Sequence, residues 1–543
     1  MSFVDAARAW LAQDPDPETR AELEDILARG DEAALASRFA GRLEFGTAGL
    51  RGELGAGPLR MNRVLVAQAA AGLAAYLRAR GESPSVVIGY DGRHNSRVFA
   101  EDSAAIMAGA GVAATIMPRA LPTPVLAFAV RELGASAGVM VTASHNPARD
   151  NGYKVYLGGA DDGAQIVPPA DGEIAAEIER AALVAFADHP RSDDVAVADE
   201  SLVEAYIART AALATEPAAL RFVYTPMHGV GREVAEKVFG AAGFAAPLVV
   251  AAQADPDPDF PTVAFPNPEE PGAMDLAFDV ARAEGADLVI ANDPDADRVA
   301  VGVPDAHAEG GWRRLSGNET GWLLGWRAAR LHDSGTLACS LVSSPALREI
   351  AAAHGLGFAE TLTGFKWISR TPDLVFGYEE ALGYLVDPGK VRDKDGISAA
   401  VAVLSLFSEL KAAGETLESH LDHFAMEFGA FASSQISIRV SDLAEIPRTM
   451  ARLRAEPPAE VGGVAVEAID DFLTGVDGFE PNDILRLRFA GGGRVIVRPS
   501  GTEPKLKCYL DASSREGSAA ERRAAAEGLV ARLDAGMRAL LGS

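Results

Sequence analysis

Val139-Met140-Val141-Thr142-Ala143-Ser144-His145-Asn146-Pro147 runs from β-branched and apolar residues into a polar turn, and Asn151-Gly152-Tyr153-Lys154 follows closely. The apolar run predicts a buried strand and the Ser-His-Asn-Pro segment a turn at its end. The hairpin-type Asn-Gly predicts a return that brings back Lys154. A serine hydroxyl is thereby presented at a strand end among polar partners, which is how a chain displays a nucleophile. Read alone, Ser144 serves equally well as a cap for a helix or turn.

Working outward, strand-like runs alternate with helix-length amphipathic segments through most of the chain, the pattern of α/β layers with parallel or mixed sheets. Around the serine, Ser85 to Asp91, Ala114 to Met117 and Ala137 to Thr142 read as strands, and Phe99 to Ala110 as a helix. A second block opens on the strand Leu220 to Pro226 and closes on Asp287 to Asn292 and Arg298 to Val303. A third holds strand candidates Leu337 to Val342 and Leu374 to Phe376, and a last one Gln435 to Val440, Ile484 to Phe489, Arg494 to Arg498 and Lys505 to Leu510.

At 543 residues the chain exceeds what one core supports, and typical domain sizes predict about three to four domains. A hydrophobic fraction of 48% with 23% charged residues describes a globular protein. The net charge of −27 argues against nucleic acid or an anionic membrane as partner, because a carboxylate-rich surface repels polyphosphate. A small phosphorylated substrate would need locally gathered Arg and Lys. The two cysteines, Cys339 and Cys508, are too few and too far apart for a disulfide framework or a cysteine-rich metal site and read as buried thiols. Met1-Ser2-Phe3-Val4-Asp5 lacks the basic and apolar regions of a signal peptide, and no stretch has transmembrane length, so the expected compartment is the cytoplasm.

Asn292-Asp293-Pro294-Asp295-Ala296-Asp297-Arg298 lies between two apolar strands. Carboxylates on alternate residues repel one another in a confined turn unless a cation collects them, and hard oxygen ligands suit Mg²⁺. A solvated acidic turn is the alternative, and Asp255-Pro256-Asp257-Pro258-Asp259 supplies a control with the same alternation in a proline-dense connection. The metal is expected at Asp293, Asp295 and Asp297 and the solvated turn at the control. Arg498-Pro499-Ser500-Gly501-Thr502-Glu503-Pro504-Lys505 combines a guanidinium, hydroxyls and a glycine turn, a set that suits a phosphate dianion, although a capped β-turn has the same composition. Glu379 and Glu380 end a strand and offer acceptors to sugar hydroxyls or simply to water. Phe45 to Gly52 reads as a flexible loop carrying Arg51, and Tyr90-Asp91-Gly92-Arg93 offers another cation.

In this order and combination the segments resemble the α-D-phosphohexomutase superfamily of phosphoglucomutases, phosphomannomutases and related phosphopentomutases, with one motif in each block. Thr142-Ala143-Ser144-His145-Asn146-Pro147 and Asp293-Pro294-Asp295-Ala296-Asp297-Arg298 carry the resemblance most specifically. It implies a heart-shaped, four-domain protein with three related α/β domains and a C-terminal TATA-binding-protein-like α+β domain around one cleft. The expected segments are 1–210, 211–315, 316–428 and 429–543. The implied activity is phosphoryl transfer between the 1- and 6-positions of a hexose phosphate, or the 1- and 5-positions of a pentose, through a sugar 1,6-bisphosphate. The resemblance makes Ser144 the phosphorylated serine and Ser144, Asp293, Asp295 and Asp297 the Mg²⁺ ligands. Lys154 and His145 would move protons, and Arg51 and Arg298 would surround the transferring group. Lys366, in Thr363-Gly364-Phe365-Lys366-Trp367, and Glu379 would meet the sugar. Arg498, Ser500, Gly501 and Thr502 would hold the distal phosphate.

Ala381 departs from the Glu-x-Ser sugar loop of many glucose and mannose enzymes, and with the surrounding Gly377-Tyr378-Glu379-Glu380-Ala381-Leu382-Gly383-Tyr384 and the Gly364-Phe365-Lys366-Trp367 loop it more closely resembles the branch holding bacterial phosphoglucomutases and phosphopentomutases. Sugar phosphates are the expected partners, glucose phosphate first, mannose phosphate second and pentose phosphate the rival, for a monomer or homodimer.

Overall fold

The computed structural model describes residues 2–440, 442–500 and 505–542. The chain condenses into two compact units, Met1–Ser316 with Ala381–Ser408, and Gly317–Glu380 with Glu409–Ser543.

The first unit begins with three short helices, Phe3–Leu11, Pro17–Arg29 and Glu32–Phe39, capped by the side chains of Ser2, Asp16 and Asp31. Trp10, Leu23, Ile26 and Leu35 carry them into the core of the first sheet. That sheet contains Leu50–Glu53 (β1), Ser85–Tyr90 (β2), Ala113–Ile116 (β3), Ala137–Val141 (β4), Asp150–Leu157 (β5), Ala164–Gln165 (β6) and Val195–Val197 (β7). Their spatial order is β1-β5-β4-β2-β3-β7, with β6 beside β5. β4, β2, β3 and β7 are parallel, and β5 and β1 complete the sheet antiparallel. Helices Ser96–Gly109 and Thr123–Glu132 make the crossovers that parallel strands require. Every residue of β4 is buried, as its unbroken apolar run demands of a strand covered on both faces.

The second sheet of this unit holds Phe222–Thr225 (β8), Leu248–Val249 (β9), Leu288–Asn292 (β10), Val299–Pro304 (β11) and Trp312–Arg314 (β12), in the order β12-β11-β10-β8-β9. β10 and β11 are antiparallel neighbours, so the aspartate turn between them is a hairpin end.

Two expectations about the serine block are corrected. Asn151-Gly152 is no turn: both residues lie inside β5, paired with Gly52 and Arg51 of β1, and the return is made by residues 142–149. The glycine is there for closeness, since a Cβ on Gly152 would stand 2.6 Å from the Thr142 carbonyl oxygen and 2.9 Å from that of Leu50. Nor is the Arg51 segment a flexible loop, because Leu50–Glu53 pairs along β5. Gly49, at φ +75°, lets the chain enter that pairing where a Cβ would overlap the Tyr153 carbonyl at 1.8 Å.

In the second unit Thr336–Ser340 (β13), Gly357–Thr361 (β14) and Leu374–Glu379 (β15) form a parallel array with β13 central. The C-terminal part is antiparallel throughout: Ala430–Arg439 (β16), Glu460–Val461 (β17), Val464–Asp471 (β18), Leu485–Phe489 (β19), Gly493–Pro499 (β20) and Lys505–Ser514 (β21), in the order β16-β21-β20-β19-β18-β17. Helices Glu445–Ala455 and Ala519–Leu541 cover one face of this half-barrel, packing Met450, Leu529, Leu533 and Met537 onto Leu487, Val495, Val497 and Leu510. Three α/β blocks and a C-terminal α+β block result. Cys339 and Cys508 are buried free thiols. Among the described residues no single helix is long and apolar enough to cross a membrane.

Candidate active site

β4 delivers the serine turn into a buried setting, and Ser144 itself is 3% exposed. Thr142 Oγ1 donates to Asp91 Oδ2 at 2.6 Å and accepts from the Ser144 N–H at 2.8 Å. Ser144 is held at φ +53°, left-handed and strained for a residue with a Cβ. Its hydroxyl donates to Asp293 Oδ2 at 2.7 Å and lies 3.2 Å from His145 Nδ1. The nucleophile-like serine and the acidic loop, 149 residues apart in sequence, therefore meet.

Asp293, Asp295 and Asp297 are fully buried, and one oxygen of each lies within 4.8 Å of the others. Burial, then the charges of Asp295 and Asp297, push the Asp293 carboxyl well above its ordinary range. Burial also acts on Asp297, but Lys154, Lys394 and Arg298 outweigh it and hold that group low. Lys154 Nζ bridges Asp295 Oδ2 at 2.8 Å and Asp297 Oδ2 at 2.9 Å, and Lys394 Nζ reaches Asp297 Oδ2 at 3.0 Å. Asp295 is also tied to the start of helix Thr123–Glu132 through Thr123 Oγ1 at 2.6 Å.

Lysines on one oxygen leave the other available. Asp295 Oδ1 and Asp297 Oδ1 are buried and find no hydrogen-bond donor among the described residues. Two orphaned carboxylate oxygens and a third carboxylate nearby are a donor set for a hard divalent cation, so the residues fit Mg²⁺. The control run differs as expected: the side chains of Asp255 and Asp259 are 87% and 75% exposed.

Arg51, on β1, donates to Asn146 Oδ1 at 3.3 Å. Arg298 follows the last aspartate, and its N–H donates to Asp293 Oδ1 at 3.0 Å. Burial, reinforced by Arg298 and Arg51, holds His145 well below the usual histidine range, hence neutral near pH 7. Ser144, His145, Lys154, Arg51, Arg298 and the three aspartates thus form one cluster in the first unit. Lys394 and Thr123 belong to it and were not read from the sequence. The alternating Arg392-Asp393-Lys394-Asp395 was the signal for Lys394, and nothing local marks Thr123.

In the second unit, Lys366 lies on the short helix Phe365–Ile368, and Glu379 Oε1 accepts from the Gly364 N–H before it at 2.6 Å. Glu380 is instead occupied by Ser340 and Ser343, whose hydroxyls donate to its Oε2 at 3.1 and 3.3 Å. Arg498 pairs along the sheet with Lys507, and the Ser500 N–H donates to the Lys505 carbonyl at 2.8 Å. Gly501 and Thr502 lie outside the described residues.

Four family models match in succession: the phosphoglucomutase/phosphomannomutase α/β/α domains I, II and III at residues 42–184, 203–307 and 316–426, and the C-terminal domain at 436–528. The chain is 56% identical to a probable phosphomannomutase of Haemophilus influenzae, over 89% of this chain and 98% of that protein. It is 36% identical to a phosphopentomutase of Mus musculus, over 94% and 90%. In fold it is similar to a solved phosphoglucomutase/phosphomannomutase family protein from Burkholderia thailandensis, with a TM-score of 0.71 at 18% identity over 92% of this chain and 97% of that one. With all four domain matches in order and relatives that span its length, the chain belongs to the phosphoglucomutase/phosphomannomutase family of the α-D-phosphohexomutase superfamily and is a phosphosugar mutase.

Proposed function

We propose that this mutase moves a phosphoryl group between the 1- and 6-positions of a hexose phosphate through a phosphoserine at Ser144, with glucose phosphate the leading substrate and mannose phosphate second. The observation that carries the reading is the Ser144 hydroxyl, strained, buried and 2.7 Å from an aspartate of the acidic loop. In the first half-reaction the P–O bond to Ser144 Oγ breaks as a bond to the free sugar hydroxyl oxygen forms. The hydroxyl proton passes to a basic side chain, and the bisphosphate turns around. In the second half-reaction its other phosphate returns to Ser144 Oγ, and the proton goes back to the sugar oxygen.

Asp293, Asp295, Asp297 and Ser144 would hold Mg²⁺, which supplies charge stabilisation to the transferring phosphoryl group. Arg51 and Arg298 add fixed positive charge beside it. His145, held neutral, is ready to accept a proton. Lys154 is kept charged by Asp295 and Asp297 against the opposing effect of burial, so neutralising those carboxylates frees it to act as the base. Glu379 and Lys366 would contact the sugar, and Arg498, Ser500, Gly501 and Thr502 the phosphate that is not in transfer, whichever end it is on. Segments 1–210, 211–315, 316–428 and 429–543 would each contribute one of these loops.

A second reading, phosphopentomutase, is favoured by Ala381 in the place of a sugar-loop serine and by the relatives that bear that name. One neutral hydrogen bond is worth about 0.5–1.5 kcal/mol net, enough to blur a preference without deciding it. The test is kcat/KM for glucose 1-phosphate, mannose 1-phosphate and ribose 1-phosphate side by side, with intact-protein mass spectrometry of wild type and Ser144→Ala. Phosphate on wild type, none on Ser144→Ala, and a hexose preference support the proposal. A ribose 1-phosphate preference of about tenfold, about 1.4 kcal/mol, moves it to the pentose enzyme. Full activity in Ser144→Ala ends the covalent mechanism.

A further inference from the structure

Ser144 is gripped from both sides by groups that never reach its hydroxyl. The Thr142 side chain accepts its N–H, and Arg93 takes its carbonyl oxygen at 2.6 Å through Nη2. The same guanidinium donates to the carbonyls of Asn146 at 2.6 Å, Pro147 at 2.8 Å and Asp150 at 3.1 Å. One planar fork therefore gathers three backbone oxygens of the turn that displays the serine and a fourth at the start of β5. Asp91, fully sequestered with it, accepts from the Arg93 N–H at 3.0 Å, from Ser96 Oγ at 2.6 Å and from Thr142 Oγ1 at 2.6 Å. Both grips on Ser144 thus trace back to the one loop 91–96.

That loop is itself fastened to the second block of the same unit. The ring of Phe260 lies 4.9 Å from the Arg93 guanidinium carbon, and His94 Nε2 is 2.8 Å from Asp259 Oδ1. Phe260 stands at φ +46°, and a Cβ on Gly92 would touch Pro256 at 3.0 Å. The proline-dense run Asp255 to Asp259, exposed at its two outer carboxylates, is thereby given a use: it seats an aromatic ring over the arginine.

We propose that Arg93, locked by Phe260, is the positioning residue of the serine turn, holding Ser144 in its left-handed conformation so that its oxygen meets the aspartate cluster. The proposal rests on Ser144 as the phosphoryl carrier and deepens that reading. A strained residue persists only where its surroundings over-determine it, and four charge-assisted hydrogen bonds to the turn and the strand it enters do so. Lysine keeps the charge but offers three donors and no planar fork, so it cannot reproduce the grip.

The experiment uses full-length, Mg²⁺-loaded enzyme as wild type, Arg93→Lys, Phe260→Leu and Arg119→Lys. Arg119 is a comparable bridging arginine whose guanidinium binds Glu200 and Glu233 rather than carbonyls of the serine turn. The expected result is a loss of about 10²-fold for Arg93→Lys in both kcat and the single-turnover rate of phosphoryl loss from Ser144, with KM within about threefold. Phe260→Leu, which keeps an apolar contact and removes the ring face, is expected to lose about tenfold in the same two rates. Arg119→Lys is expected to lower Tm alone. Wild-type transfer rates in Arg93→Lys overturn the proposal, as they do in Phe260→Leu should the lysine variant not fold. A wild type without phosphate on Ser144 removes the carrier reading and this proposal with it, whereas phosphorylated wild type with unimpaired variants removes this proposal only.

Discussion

Three aspartates at 0% exposure on alternate residues are tolerated because two lysines, the Thr123 and Ser144 hydroxyls and the Arg298 N–H engage four of their oxygens, while Oδ1 of Asp295 and of Asp297 stays open. Asp255 and Asp259 show the opposite outcome for the same spacing, with exposed carboxylates, and Asp257 between them is half-buried and accepts from the Asp259 N–H at 3.0 Å. Sequence alternation alone does not separate the two; burial does. Replacing Asp295 by Ala is expected to cost orders of magnitude in turnover, since metal stabilisation of phosphoryl transfer is worth several kcal/mol. Asp257→Ala is expected to stay within about twofold in turnover, because that carboxylate stands outside the buried aspartate cluster. Steady-state assays of both variants at saturating Mg²⁺ check the contrast. Asp293→Asn removes one of three like charges and retains an oxygen for the Arg298 N–H. Its Tm in chelator is expected to rise above that of wild type while its response to added Mg²⁺ shrinks, and thermal melts with and without Mg²⁺ read both.

At the scale of elements, the acidic hairpin is braced by a turn on the neighbouring strand. After β8 the chain runs through Met227 and His228, both left-handed, and the Val230 N–H then donates to the Pro294 carbonyl at 2.8 Å. A Cβ on Gly229 would lie 2.3 Å from both Cα and O of Pro294, a backbone clash that no side-chain rotation relieves. Gly229→Ala is therefore expected to displace the aspartate hairpin and weaken Mg²⁺ binding by about tenfold, as misplaced ligand supports do, which calorimetric titration would measure. A second element-level joint lies beyond the cluster. Lys390 Nζ is fully buried, 2.8 Å from Asp395 Oδ2, 2.6 Å from Thr210 Oγ1 and over the Tyr206 ring at 4.2 Å. Lys390→Met would leave the Asp395 carboxylate buried beside Tyr206 and Ser398 without its cation. The expected cost is about 3–5 kcal/mol in urea unfolding, with Lys390→Met/Asp395→Leu recovering part of it.

For the molecule as a whole, acid sensitivity follows from histidines that fold as neutral groups. Burial, with Arg191 adding to it, depresses His189, and burial depresses His228 and His420 against the opposing pull of Asp257 and Glu415. A depressed folded pKa means that the unfolded chain binds the proton first. The stability these groups contribute is complete above their unfolded value of about 6.5 and is lost as pH falls below it. Tm is expected to decline from pH 7 to pH 5, before the bulk of the carboxylates titrate, and His189→Gln to flatten that decline. With two compact units the melt need not be a single transition, so calorimetry is the suitable measurement.

Period and punctuation made the strands, the four blocks and the principal motifs legible along the sequence, because buried strands such as β4 and β10 are unbroken apolar runs ending in polar turns. Ser144 and the three aspartates were legible for the same reason, as strand-end residues of types that bear chemistry. What only the tertiary structure decided were contacts across many residues: the Ser144–Asp293 bond, the lysines on the aspartates, the edge strand at Arg51 and the four carbonyls on Arg93. Gly152 shows the physical reason, for a local reading assigns Asn-Gly to a turn, whereas the close approach of Thr142 and Leu50 places that glycine inside a strand. Local sequence encodes backbone preference and polarity; which oxygen lies beside which cation depends on how separate elements pack, and no window of the chain contains both.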